Sequence, residues 1–264
     1  MPTLKGGTKS KIALKVANLR AKRREKLRAL TENSQQANRF MKHATIQRFV
    51  ASAMIAAEEF EARFKGNQMP APETIKGIKK SAVSFAKEQA GRSFTITEIE
   101  QQEAALSALI SEKIIAAGSN INPKLASEMG DFFASRYIRN NAELENEILT
   151  QKLMSKAMEN KGKFAEKLIS RQILDTLNLE LASSHALYAV GFREKEFARA
   201  AAIVTPYIKK AASLYATGKT WEGNDTLSSA FSALIKEGTD KTKSRHYIEH
   251  LGHLLQELGN AQAL

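Results

Sequence analysis

The chain contains no cysteine. A disulfide framework, a thiolate metal site and a cysteine nucleophile are therefore excluded, and the composition fits a reducing compartment. Long apolar runs are also missing. The longest stretches, Ala186 to Val190 and Ala200 to Val204, are alanine-rich and too short for a membrane span or the core of a secretory signal. A cytoplasmic protein is the expectation, with organellar import and specialised secretion left open. Alternation of apolar and polar residues at period two is absent as well, which argues against strands. Acid is scarce in one segment only: from Lys5 to Arg28, ten Lys or Arg stand against the single acid Glu25.

That segment concentrates the charge of the chain. Residues 1–48 hold thirteen Lys or Arg and two Glu, a net +11 out of +12 for all 264 residues. The body beyond them is close to neutral. Read as a helix over 10–30, the segment aligns Ile12, Val16, Leu19, Leu27 and Leu30 on one stripe, interrupted by Arg23. Lys11, Lys15, Lys22 and Lys26 flank one side of it, Arg20, Arg24 and Arg28 the other, and Thr8 or Ser10 is placed to cap its start. The anion-binding residues expected here are Lys9, Lys11, Lys15, Arg20, Lys22, Arg23, Arg24, Lys26 and Arg28.

Such an arm suits a DNA or RNA backbone, where each base near a phosphate releases counterion without reading sequence. It also suits an anionic membrane surface, with the apolar stripe among the acyl chains, or an import receptor. A solvated helix that carries bases for solubility is the plain alternative. Aromatic residues are not interleaved with the bases, so stacking on single-stranded nucleobases is not expected and contact to backbone is.

Beyond the arm (1–30), the body (31–264) reads as all-α, an irregular bundle that brings the chain to about nine to ten helices. A long helix is expected from Thr31 or Asn33 to about Lys65, with Phe40, Ala44, Phe49, Ala53, Met54, Ala57, Phe60 and Phe64 on its inner face. Gly66 ends it, and the Pro- and Asn-containing stretch 66–73 is where a sub-boundary would fall. Helices follow from about Glu73 to Ala90 and, opened by a Thr95/Glu98 capping box, to Ala117. Asn122 before Pro123 marks another start, on a helix carrying Leu125 to Tyr137. Further helices are expected over Ala142–Glu159, Lys163–Leu181, Phe192–Thr217 with a kink or break at Pro206, Asp225–Lys236 and Ser244–Leu258. No repeat of fixed length is evident.

Few residues form constellations that suggest chemistry. His246, His250, His253 and Glu257 fall at about 0°, 40°, 340° and 20° on a helical wheel, one narrow face. They span roughly 16 Å at about 1.5 Å per residue, so one ion cannot collect all four; they are weak metal candidates, and otherwise a polar stripe or a proton-sensitive surface. Gly218, Lys219 and Thr220 reproduce the end of a phosphate-binding loop, but Ser213 stands where the first glycine belongs and a helix precedes it. Trp221 is expected in a short interhelical loop, packed on the body or anchoring a partner. Ser183, Ser184 and His185 are adjacent, with no acid in sequence to orient the imidazole. No cofactor is implied and an enzyme is not expected. The preferred reading is a non-enzymatic helical protein binding a DNA or RNA backbone through its arm, in a structural or assembly role of phage, plasmid or nucleoid-associated type, its body supplying self-association or a partner surface. The alternative is a bacterial effector or peripheral membrane protein whose N-terminus is a delivery signal or membrane-surface helix and whose body binds a protein.

Overall fold

The computed structural model describes residues 34–66, 69–90, 92, 94–118, 121–159, 175 and 184–263, with side chains of residues 47–150, 175, 184–193 and 195–256 within those ranges. The described residues form eight α-helices and no strand. They are α1 (Ser34–Arg63), α2 (Pro72–Gln89), α3 (Ile96–Ala116), α4 (Pro123–Glu159), α5 (Ser184–Ala189), α6 (Glu194–Ala216), α7 (Thr220–Lys236) and α8 (Lys241–Ala263). The basic arm lies outside the described residues, and so does the helix expected over Lys163–Leu181 apart from Asp175, which is helical. Two compact units emerge among the described residues: 42–93 with 98–144, and 34–41 and 94–97 with 145–263.

In the first unit α1 buries Phe49, Ala53, Ala57 and Phe60, the stripe that its helical spacing dictates. Met54 departs from the expectation: its side chain is 58% exposed. It lies about 100° round the helix from Ala53, outside the stripe that Phe49, Ala57 and Phe60 share. Gly66, at φ 120°, takes the chain out of α1. In α2, Pro72 occupies the first turn, where its missing N–H costs no helical bond, and Ile75, Ile78, Ala82 and Ala86 turn inward. Helix α3 contributes Ile99, Leu106, Ile110 and Ile114. The core is pinned by rings: Phe60 meets Phe133 edge-on at 5.9 Å, and Phe64 meets Phe132 at 5.4 Å.

Helix α4 starts as its sequence dictates, with the Leu125 amide donating to Asn122 Oδ1 at 2.8 Å. It does not end near Tyr137. The two helices expected on either side of 138–141 are one helix of 37 residues. No Gly or Pro stands there to stop it, and Asn140 and Asn141 are buried. Asn140 Nδ2 donates to Glu59 Oε2 at 3.1 Å, and Ser52 Oγ, which donates to Arg48 O at 2.7 Å, lies 3.5 Å from Asn141 Oδ1.

The second unit has its own core. Val204, Ile208, Ala211, Ala212 and Tyr215 of α6 pack with Leu227, Ala230 and Leu234 of α7 and Tyr247, Leu251, Leu254 and Leu255 of α8. Pro206 does not split α6, which is helical on both sides of it. The buried row of Ala200, Val204, Ile208 and Ala211 runs past the proline and holds the two halves on one core. Between α6 and α7 the chain turns through Gly218 at φ 75°. The Lys219 amide donates to Leu214 O at 2.9 Å and the Gly218 amide to Tyr215 O at 3.1 Å, the paired bonds of a glycine-terminated helix. The same pair closes α7 at Gly238. Asp240 then caps α8, its Oδ1 accepting from the Lys243 amide at 2.8 Å, and Lys243 Nζ bonds Glu196 Oε2 of α6 at 2.9 Å.

Candidate functional site

The most exposed large apolar side chain among the described residues is Trp221, at 82%. It was expected in a loop, but α7 begins at Thr220 and places Trp221 in the first helical turn. The helix starts early because Gly223 lets it close on α6: a side chain at that position would run into the Tyr215 ring. The Tyr215 hydroxyl donates to Asn224 Oδ1, and burial raises its phenol pKa. These contacts fix the first turn of α7 on the core and leave Trp221 pointing away from it.

One turn on from Trp221 is Asp225, on the wall of a groove of about 360 Å³ between α6 and α7. Pro206, Tyr207 and Lys210 form the α6 wall, and Asp225, Thr226 and Ser229 the α7 wall. Lys210 and Asp225 are exposed, and neither has an ion-pair partner among the described residues. The groove therefore joins two charges of opposite sign to an aromatic and a proline, with a tryptophan near its rim.

A second groove, of about 470 Å³, runs between α1 and α2 in the first unit. Its floor is largely apolar, from Ala53, Met54, Ala57 and Val83, and Lys79, Lys80 and Lys87 edge it. Lys79 pairs with Glu61. Lys76, Lys80 and Lys87 are exposed and recur at the spacing that puts them on one side of α2.

Two buried polar groupings escape a reading of the sequence. His185 is 3% exposed, and the carboxylate of Glu145, forty positions earlier, lies 3.7 Å from its Nδ1. Phe94 meets the imidazole edge-on at 5.5 Å. An acid does stand by this histidine, brought by α4. In the first unit Arg48, Ser52, Tyr137, Asn140 and Asn141 are all buried. Burial pushes the Tyr137 phenol far above its ordinary value, with Arg48 pulling the other way.

The sequence-derived candidates fare as follows. Lys9, Lys11, Lys15, Arg20, Lys22, Arg23, Arg24, Lys26 and Arg28 lie outside the described residues. His246 and His253 are exposed on α8, and His250 is half-buried on the same helix. The side chain of Glu257 is outside the described set. Among the described residues, no group of three or more His, Cys, Asp or Glu is placed to hold a metal ion. Gly218 and Lys219 form a helix-to-helix turn, and Thr220 opens α7. No described helix is long and apolar enough to cross a membrane. Comparison with protein-family models, curated proteins and solved structures finds no match.

Proposed function

We propose that the protein binds a polyanion, the backbone of DNA or RNA, through its basic N-terminal arm, as a non-enzymatic structural or assembly component. The observation that carries this reading is the charge distribution: +11 of the +12 net charge falls in residues 1–48. Positive charge held in one short segment binds phosphates by counterion release, with little demand on sequence. The exposed lysines Lys76, Lys80 and Lys87 on α2 support it, because they add basic surface of the same kind in the body.

The test compares the whole chain with one beginning at Thr31 for binding to duplex DNA and RNA across a salt series. The whole chain is expected to bind with an affinity that falls steeply as salt rises, and the shortened chain to lose most of it. Equal binding by the two chains would overturn the reading.

The apolar stripe Ile12, Val16, Leu19, Leu27 and Leu30 favours a second reading, in which the arm is a delivery signal or lies on an anionic membrane and the body binds a protein, as in an effector or peripheral protein. Replacing Leu19 and Leu27 by Ser separates the two. Vesicle binding depends on that stripe, whereas phosphate binding depends on the bases.

A further inference from the structure

We propose that the outer face of α6 and α7 is a twofold interface between two copies of this chain, with Trp221 at its core and Lys210 and Asp225 paired across it. The inference concerns the body and does not depend on what the arm binds.

Three observations converge on this face. First, Trp221 is 82% exposed although the turn that bears it is fixed on the core by Gly223, Tyr215 and Asn224. A tryptophan carried on a fixed turn presents a large apolar surface with little backbone entropy left to lose on burial, the character of an interface anchor. Second, the groove on the same side of the second unit has a receptive wall. Pro206 and Tyr207 offer an apolar and aromatic surface, and its volume of about 360 Å³ is ample for an indole. Third, Lys210 stands on one wall and Asp225 on the other, both exposed and neither paired among the described residues.

The third observation selects the occupant. In a twofold contact, residue i of one copy meets residue j of the other, and j meets i. A face with one cation and one anion on opposite walls meets its own rotated image with opposite charges aligned twice. A second copy thus satisfies both charges while Trp221 of each chain enters the groove of the other. A partner of a single charge sign would leave one of the two opposed. Two copies also carry two arms, so a long polyanion would be gripped at two points with an avidity above that of either arm alone.

The experiment uses the whole chain, treated with nuclease, at moderate salt. Sedimentation velocity over a concentration series is expected to show a monomer passing to a dimer. Trp221 is the only tryptophan, so the fluorescence of the whole chain should shift to the blue over the same range. Trp221→Ser is expected to weaken association by about tenfold or more. Lys210→Asp and Asp225→Lys should each disrupt the dimer, because each sets like charges against one another at both pairs.

The decisive step mixes these two single variants. Lys210→Asp has acid at both positions and Asp225→Lys has base at both, so an equimolar mixture should form a mixed dimer that neither forms alone. That recovery cannot arise from misfolded protein. The proposal is overturned if the wild-type chain stays monomeric to about 100 µM, a concentration that weak self-association would reach. It is equally overturned if the dimer survives in Trp221→Ser and in both charge variants, or if the mixture stays monomeric.

Discussion

The ring of Tyr215 occupies the space that any side chain on Gly223 would need. Helix α7 can therefore begin against α6 at Thr220 only because residue 223 has no Cβ. Gly223→Ala gains helix propensity worth up to about 1 kcal/mol, yet must displace a buried tyrosine and its bond to Asn224. Overpacking of this kind costs roughly 1–3 kcal/mol, so a net loss of stability is expected in urea unfolding. Trp221 fluorescence should report the loosened turn at lower urea than the overall helical signal.

A second glycine sets a helix crossing in the first unit. A Cβ on Gly130 of α4 would strike the Ser107 carbonyl and the Ser111 hydroxyl of α3. Gly130→Ala should lower stability by about 1–3 kcal/mol, and adding Ser111→Ala should restore only part of it. The hydroxyl can be removed, but the backbone carbonyl of Ser107 stays in the way. Paired thermal melts of the single and double variants measure the recovered fraction.

Asn140 joins α4 to α1 through its 3.1 Å bond to Glu59. Asn140→Ala should leave the helical circular dichroism signal of α4 unchanged, since alanine favours helix more than asparagine does. Stability should nonetheless fall by about 1–3 kcal/mol as the buried bonding is lost. A drop in helicity before unfolding would show instead that Asn140 holds α4 continuous.

The hydroxyl of Tyr137 is buried and finds no hydrogen-bond partner among the described residues. Tyr137→Phe removes a polar atom that gains nothing in the folded state, so stability at neutral pH should be unchanged or higher. Alkaline pH gives a sharper test. Burial raises this phenol above its ordinary value, so the folded chain holds the proton where the unfolded chain has released it. Stability is then intact below about pH 10 and falls above it by about 1.4 kcal/mol per pH unit for each such phenol. Tyr215, raised in the same direction, adds to that slope. Tyr137→Phe should make it shallower in a series of denaturant melts from pH 9 to 11.

Much of the helical order was legible because stop and start signals are local. Asn122 before Pro123 announced α4, and its side chain caps Leu125; Gly66 and Gly118 end their helices at positive φ. The all-α character of the described residues follows from their apolar spacing in the same way. What escaped depends on long-range packing. The helices expected to stop near Tyr137 and start at Ala142 are one, and Asn140 between them bonds Glu59 of α1, a partner that local sequence does not show. Trp221 through Asp225 reads as a polar loop because the lack of a side chain at Gly223 matters only once Tyr215 lies against it. Met54 looked like core because it is apolar and adjoins Ala53. His185 gained its carboxylate from Glu145, a pairing with no signature in sequence. The interface face was invisible for the same reason, since Lys210 and Asp225 share a groove only after α6 and α7 pack.

Pro206 lies within the 23 residues of α6 and has no amide hydrogen to give. The carbonyl of Ala202, one turn earlier, loses its usual helical donor, and Ala202 is exposed where water can reach it. The nearby Thr205 hydroxyl spends its proton on Ala201 O at 2.6 Å and does not fill the gap. At this turn the ladder of α6 misses a rung, and the apolar row facing α7 and α8 keeps the two halves in line. Helix α6 is in effect two stiff segments joined at a soft joint, and backbone amides around that joint should exchange with solvent deuterium sooner than those at either end of the buried row.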